Sequence, residues 1–324
     1  MVLPNRRPKR GQLSNKRPEG IQLNLRTIAS GDLTWVDVVE PTKDSARYLA
    51  EQYNFNPLDI EDALSPRQVS KIEEYPEYLF VIFHLSVFER ERKVSERKQW
   101  SAFVGPNYLV TIRPPEFKVA GDLFQECETE AETREQYFSQ GPGYLLYQIF
   151  DRTIDQYFRV LDKIRGLMGD IEEGVFREDV EVAGPLSSLR RDIIDQRQVM
   201  FPTRALLTEL EPKLKPYSKV DLTLYYSDLM DHVNKVCSTL DEYTEVIDVF
   251  KDSDYLLSAY RSNRTIRAIA ILLAIGLPFV AVAGIYLILP GLEKGSPQSF
   301  AGLFLIIVAL IGTILYLLRR RHLI

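Results

Sequence analysis

Two uncharged stretches lying almost end to end constrain this chain more than any other feature. Ala268 to Leu292 is 25 residues long and Gly295 to Leu318 is 24, and neither contains an Asp, Glu, Lys or Arg. Only Glu293 and Lys294 separate them. A helix needs roughly 20 apolar residues to cross the hydrocarbon core of a bilayer, so the spacing predicts two membrane spans. The turn from Pro290 to Pro297 is short and rich in helix breakers, which fits a tight re-entry. Arg261, Arg264 and Arg267 precede the first span, and Arg319, Arg320 and Arg321 follow the second. Basic flanks stay on the cytoplasmic side, so both termini are expected in the cytoplasm. The first residues carry Arg6, Arg7, Lys9, Arg10, Lys16 and Arg17 but lack the apolar core of a secretory signal. Residues 1–30 therefore read as a disordered basic arm, and a plasma membrane is the expected location.

Several function classes fall away. A net charge of -5 gives no global basic field, and there is no zinc-finger spacing or basic-aromatic platform, so nucleic acid is not an expected partner. Cys127 and Cys237 are far apart with no CxxC neighbour, so neither a disulfide partner nor a zinc site is expected. No Gly-rich phosphate loop or nucleophile elbow is present, and His84, His232 and His322 are scattered, so the chain is not read as an enzyme. No tightly bound cofactor is expected.

Between Tyr217 and Ile275 there is neither Gly nor Pro. Leu222, Tyr225, Leu229, Val233, Val236, Leu240, Tyr243, Ile247, Phe250 and Leu257 recur there mostly at three- and four-residue steps. That spacing predicts one long amphipathic helix running into the first span, roughly 90 Å in length. Its apolar face needs a cover, and Leu146, Phe150, Ile154, Tyr157, Leu161, Ile164, Met168 and Ile171 offer a matching stripe. Leu186 to Leu210 is also helical in pattern but contains Pro202, so it is expected to kink or end early.

The part before these helices is mixed α/β. Asn56-Pro57-Leu58-Asp59 reads as a capped helix start, with Asp59, Glu61 and Asp62 better explained by the helix dipole than by metal binding. Tyr78 to Phe88, Ser101 to Val104 and Tyr108 to Arg113 read as strands, with a turn at Gly105-Pro106-Asn107. His84 lies in an apolar strand and reads as a core residue, while His232 sits on the long helix near Asp228 and Asp231. The expected organisation is an α/β domain over residues 31–140, a long-helix stalk and hairpin over 141–265, and two transmembrane helices over 266–324.

Trp35-Val36-Asp37-Val38, Pro57 to Leu64, Lys71 to Tyr75 and Tyr78 to Val81 together resemble the amino-terminal signature of CorA-type divalent-cation channels. Ala283-Gly284-Ile285-Tyr286 resembles that family's stretch at the end of its first span. The resemblance implies a homopentamer in the lipid bilayer, with a funnel-shaped cytosolic α/β domain, a long stalk helix and a two-helix transmembrane pore. It implies a divalent cation, Mg²⁺ or a transition metal, as substrate and possible regulator. Pore-lining positions would be Asn263, Ile266, Ile269, Leu273, Leu277, Val280 and Gly284. Asn263 would face the hydration water of the ion, and the aliphatic members would gate by dewetting. The family's Gly-Met-Asn at the pore mouth is replaced by Leu287, Ile288 and Leu289. A dry aliphatic ring cannot hold a strongly hydrated Mg²⁺, so the substitution puts Mg²⁺ selectivity in question. Zinc or another transition metal is one alternative, and a non-conducting ion sensor on the same scaffold is another. Glu89 and Asp228 fall at the family positions for a regulatory metal between subunits.

Overall fold

The computed structural model of the chain describes residues 23–65, 68–89, 94–175, 182–288 and 297–320. Six strands form one sheet in the order β1-β2-β6-β5-β4-β3: β1 (Leu25–Ser30), β2 (Leu33–Val39), β3 (Lys71–Glu74), β4 (Leu79–Glu89), β5 (Val94–Val104) and β6 (Tyr108–Arg113). Only β2 and β6 pair in parallel, and every other neighbour is antiparallel. The central strands read as near-continuous apolar runs because helices cover both faces. Helices α1 (Lys43–Tyr53) and α2 (Pro57–Leu64) bury Leu49, Phe55, Ile60 and Ala63 against Val36, Phe80, Phe103 and Val110 on one face. On the other, Trp35 meets Phe124 of α3 (Lys118–Thr129) with ring centroids 4.9 Å apart. Phe83 stacks there on Phe150 of α5 (Pro142–Val175) at 4.3 Å, and a short α4 (Ala131–Phe138) links α3 to α5.

Across β2 and β6 the fully buried Asp37 is held by Arg113, whose Nε and Nη2 donate at 3.0 and 2.9 Å, and by the Thr111 hydroxyl at 2.9 Å. A buried carboxylate is tolerated only when its charge and lone pairs are met in this way. The turn before β6 requires Gly105, since a Cβ there would lie 2.2 Å from the Tyr108 ring.

One expectation is corrected and another is narrowed. The basic arm does not extend to residue 30: Leu25–Ser30 pairs with Leu33–Val39 as an edge strand, turned by Gly31 at φ +57°. A left-handed conformation of that kind favours glycine. Residues 1–22 of the expected arm lie outside the described residues. Of the two outcomes expected at Pro202, a kink or an early end, the early end is ruled out, since helix α6 (Ala183–Leu214) runs through Pro202 and Pro212. Next to Pro202, the Thr203 hydroxyl donates to the Val199 carbonyl at 2.9 Å, while the Gln198 carbonyl is the one that loses its helical N–H donor to the proline.

The expected stripe on α5 is buried along its whole length, from Leu146 to Ile171. Helix α7 (Thr223–Ile288) follows, with Leu222 just before it and Tyr226, Leu229, Val233, Val236, Leu240, Tyr243 and Ile247 within it all buried. The second position of that series is Tyr226, not Tyr225, so the seam keeps a strict four-three step from Leu222 onward. Tyr243 Oη reaches the Leu161 carbonyl at 3.3 Å, locking α7 against α5. The last helix is α8 (Pro297–Arg320).

The chain divides into two compact units, one holding residues up to Glu173 together with Gly184–Ile247, the other holding the rest. This differs from the expected boundaries after residues 140 and 265. Phe150 of α5 packs into the sheet through Phe83 and Trp100, so the sheet and the helical hairpin share one core. In the second unit, Ser262–Ala281 is the one stretch among the described residues long and apolar enough to cross a membrane, and α8 carries a shorter apolar run, Phe304–Thr313.

Candidate functional site

Within the first unit, α5 and α7 bring together side chains with metal-binding chemistry. One oxygen each of Asp151 and Asp228 and one ring nitrogen of His232 all lie within 4.8 Å of one another. The placement follows from helix geometry. Asp228 and His232 are four residues apart on α7 and share a face, and Asp151 follows the buried Phe150 on α5 at the edge of the α5 stripe. Asp228 is exposed, while Asp151 and His232 are half-buried. His232 Nδ1 is buried without a hydrogen-bond partner, and the ring meets Phe158 edge-on with centroids 5.8 Å apart.

Electrostatics mark Asp151 as the strained member. Burial pushes its carboxyl above the ordinary carboxylate range and the Asp155 charge adds to this, while a hydrogen bond with Tyr147 and the nearby His232 pull it back. The Tyr147 hydroxyl is raised in turn by burial and by the Asp151 charge. Tyr144, Tyr147, Tyr225 and Tyr226 form an aromatic wall beside the cluster, with centroid separations of 5.3 to 5.8 Å. Carboxylate pairs that repel one another and carry a desolvated member favour a cation between them.

The sequence singled out Asp228 but paired it with Glu89. Glu89 ends β4, in register with Val94, and its side chain lies outside the described residues. Asp151 was missed. Its signal was the matched spacing of Asp151 with Asp155 and of Asp228 with His232, acid or histidine at four-residue intervals on two helices whose apolar stripes face each other. Two of the three acids of α2 are already engaged: Asp59 accepts from Tyr78 at 2.7 Å and Tyr75 at 3.1 Å, and Asp62 from Lys71 at 2.6 Å. His84 is a core residue as read, 5% exposed, with burial and Arg97 lowering its pKa to about 4. Cys127 and Cys237 are buried free thiols, pushed upward by burial, Cys127 to about 11.

In the second unit the expected pore positions lie on α7. Asn263 is exposed, Ile266, Ile269, Leu273, Leu277 and Val280 are each at least half exposed, and Gly284 is partly covered. Leu287 and Ile288 close α7 with side chains outside the described residues, as is all of Leu289.

A mixed α/β domain followed by long helices and an apolar carboxy-terminal segment is the architecture of a chain with a large extramembrane domain and a membrane-spanning end. The chain belongs to the CorA-like Mg²⁺ transporter protein family, whose model matches residues 30–320. The cobalt/magnesium transport protein CorA of Thermotoga maritima is 23% identical over 256 residues, covering 78% of this chain and 72% of that protein. The zinc transport protein ZntB of Pectobacterium atrosepticum is 22% identical over 180 residues, 55% of each chain. The complete structure of the CorA magnesium transporter from Methanocaldococcus jannaschii shares the fold with a TM-score of 0.75 at 20% identity, covering 90% of this chain and 92% of that one. The protein is accordingly a divalent metal-ion transporter of the membrane and not an enzyme.

Proposed function

We propose that this chain forms a homopentameric channel that passes divalent cations across the plasma membrane, with α7 lining the pore and α8 as a second span. The observation that carries this reading is the row of exposed aliphatic side chains on α7, at three- and four-residue steps, in a chain of the CorA family. An apolar row of that length in water is costly, and a bilayer together with neighbouring copies removes the cost. Asn263 would meet the hydrated ion at the cytosolic entrance. Ile266, Ile269, Leu273, Leu277 and Val280 would form the dry gate, with Gly284 above them. Both termini would then be cytoplasmic, in keeping with Arg261, Arg264 and Arg267 at the start of the apolar stretch of α7 and with Arg319, Arg320 and Arg321 at the end of α8 and just beyond it.

Leu287, Ile288 and Leu289 at the mouth favour an ion that sheds water more readily than Mg²⁺, and similarity to a zinc transport protein points the same way. The same three residues also motivate a second reading, a non-conducting sensor on this scaffold. In the cytosolic domain, Asp151, Asp228 and His232 would hold a regulatory cation whose charge relieves the repulsion between the carboxylates, with Glu89 as a contribution from a neighbouring copy. Flux of Mg²⁺, Zn²⁺, Co²⁺ and Ni²⁺ into dye-loaded proteoliposomes tests the proposal. Transport that is lost in Asn263→Leu supports a wet pore entrance, whereas no flux of any ion from assembled oligomers supports the sensor.

A further inference from the structure

We infer that a cavity between β4, α5 and the start of α3 is a binding site for a small organic carboxylate, whose charged end is held at the α3 N-terminus. The cavity shares no residue with the Asp151, Asp228 and His232 cluster or with the expected pore positions, and the inference does not depend on the function proposed above.

The cavity has a volume of about 180 Å³. That is below the roughly 300 to 1,000 Å³ of sites for drug-sized ligands, so its occupant is small. Leu85, Phe117, Tyr157 and Val160 give it an apolar wall, while Ser86, Lys118 and Gln156 line its polar side. A bare inorganic ion is polar over its whole surface and gains nothing from the apolar wall. A short apolar body with one polar end matches both sides.

Three observations choose the polar end. First, α3 is 12 residues long and begins here uncapped, with Phe117 at its N-cap and no side chain accepting from the first-turn N–H groups. Those groups and the dipole behind them favour an anion. Second, Tyr157 is 5% exposed and its hydroxyl oxygen accepts from the Ser86 N–H at 3.1 Å. The hydroxyl proton has no acceptor among the described residues, and burial raises the phenol well above its ordinary range, so the group remains a donor. A buried donor in that state costs free energy unless an acceptor reaches it. Third, Lys118 is exposed and pairs with no carboxylate among the described residues. Glu116, the one acid lining the cavity, is countered by Lys98 at 3.8 Å.

The unmet groups are thus donors and a cation, which select a monoanion. Thr153 does not change that balance, because its hydroxyl already donates to the Ile149 carbonyl at 2.5 Å. A carboxylate brings two acceptor oxygens and a full charge, and a short alkyl chain covers Leu85, Phe117 and Val160. Tyr157 also belongs to the buried stripe of α5, four residues before Leu161, whose carbonyl accepts from Tyr243 of α7. An occupied site therefore adds to the stability of the same core.

The test uses the full-length protein in detergent, with butyrate, its neutral isostere butyramide and inorganic phosphate as probes in isothermal titration calorimetry. Butyrate should bind with a Kd of about 1 mM or below, at least about tenfold tighter than butyramide or phosphate. Tyr157→Phe should weaken it about tenfold and Lys118→Gln about threefold or more, while Val160→Phe, which fills the cavity, should abolish binding. The last two variants leave the bond between Tyr157 and Ser86 in place, so they decide the matter even where Tyr157→Phe fails to fold. Butyrate should also raise the thermal midpoint of the wild type and leave that of Val160→Phe unchanged. Equal binding of butyrate and butyramide, or phosphate binding as tight as butyrate, overturns the inference. Butyrate binding that survives both Lys118→Gln and Val160→Phe places the ligand elsewhere and overturns it too, as does no binding of any probe at about 20 mM.

Discussion

The two ends of α7 carry the same pattern and meet opposite fates. From Leu222 to Ile247 the apolar residues step by four and three and are buried to 5% exposure or less. From Ile266 to Val280 the steps are again three and four, yet Ile266, Ile269, Leu273, Leu277 and Val280 are between 50% and 67% exposed. Periodicity specifies a face, and burial needs a partner for it. In the first unit the partner is the chain itself, through α5 and α6. In the second unit the described residues supply none, and on the function proposed above lipid and neighbouring copies would be the cover. Polar groups divide in the same way. In the first unit the chain's own packing desolvates Asp151 and His84 enough to displace their titration, and gives Asp37 its buried arginine.

The largest contrast is at matched leucines. Leu240→Ala removes a fully buried side chain from the seam between the helices and is expected to cost about 2 to 5 kcal/mol, by transfer and cavity terms together. Leu273→Ala, at 50% exposure, is expected to leave the unfolding midpoint of the first unit unchanged and to alter ion flux instead. Chemical unfolding of the two variants, monitored at the tryptophans Trp35 and Trp100 of the sheet, distinguishes them. Equal destabilisation would mean that the two halves of α7 are held by one common core, and the comparison would break.

Much of the first unit could be read from sequence because its signals are local. Asn56 caps α2 with its side chain accepting from the Leu58 N–H at 3.0 Å, and β6 begins and ends where its aromatic and β-branched run does. The α5 stripe was visible because eight positions repeat one spacing, each reinforcing the next. Tyr225 and Tyr226 show the limit of that signal. Both are aromatic, and only the packing of Tyr226 beside Leu229 and Val233 decides which of them faces in. The hairpin of β1 and β2 was hidden because an edge strand alternates weakly, and its one firm mark was Gly31. The Asp151, Asp228 and His232 cluster joins residues from two helices far apart in the chain, and single-sequence spacing carries no information on how two helices are registered against each other. The exposed aliphatic row from Ile266 to Val280 was legible as a face, and the role proposed for it comes from family resemblance.

A smaller effect sharpens the polar side of the comparison. His84 has a folded pKa lowered from 6.5 to about 4, first by burial and then by Arg97. Its Nδ1 lies 3.0 Å from the Ser70 hydroxyl, and its Nε2 is buried without a partner. Because the folded value is depressed, the unfolded chain binds more protons between the two values, so stability is fully present above pH 6.5 and falls as pH drops toward about 4. The loss approaches about 3 kcal/mol at the low end, at 1.36 kcal/mol per pH unit. Denaturant titrations across that window should show the slope in the wild type and a flatter profile in His84→Gln. An unchanged slope would place the acid sensitivity of the first unit elsewhere, with Asp59 and Glu73 as the next groups to substitute.

The smallest expected effect concerns how a short helix is held on the sheet. Helix α2 has eight residues, too few to persist on its own in water, so it depends on its cap and on the burial of Ile60 and Ala63. Asn56 serves both needs, since its oxygen accepts from the Leu58 N–H while its amide donates to the Tyr75 hydroxyl at 3.2 Å. Asn56→Ala should cost about 1 kcal/mol, in the range of other lost N-caps, and Asn56→Asp should recover the cap but not the tyrosine contact. The carboxylate of that second variant would also sit near Asp59, which burial already raises above the ordinary range, so its stability should improve on moving to lower pH where Asn56→Ala shows no gain. Unfolding measured at two pH values therefore separates capping from charge. If both variants behave alike at both, the cap is silent and packing alone secures α2, as it secures the first half of α7.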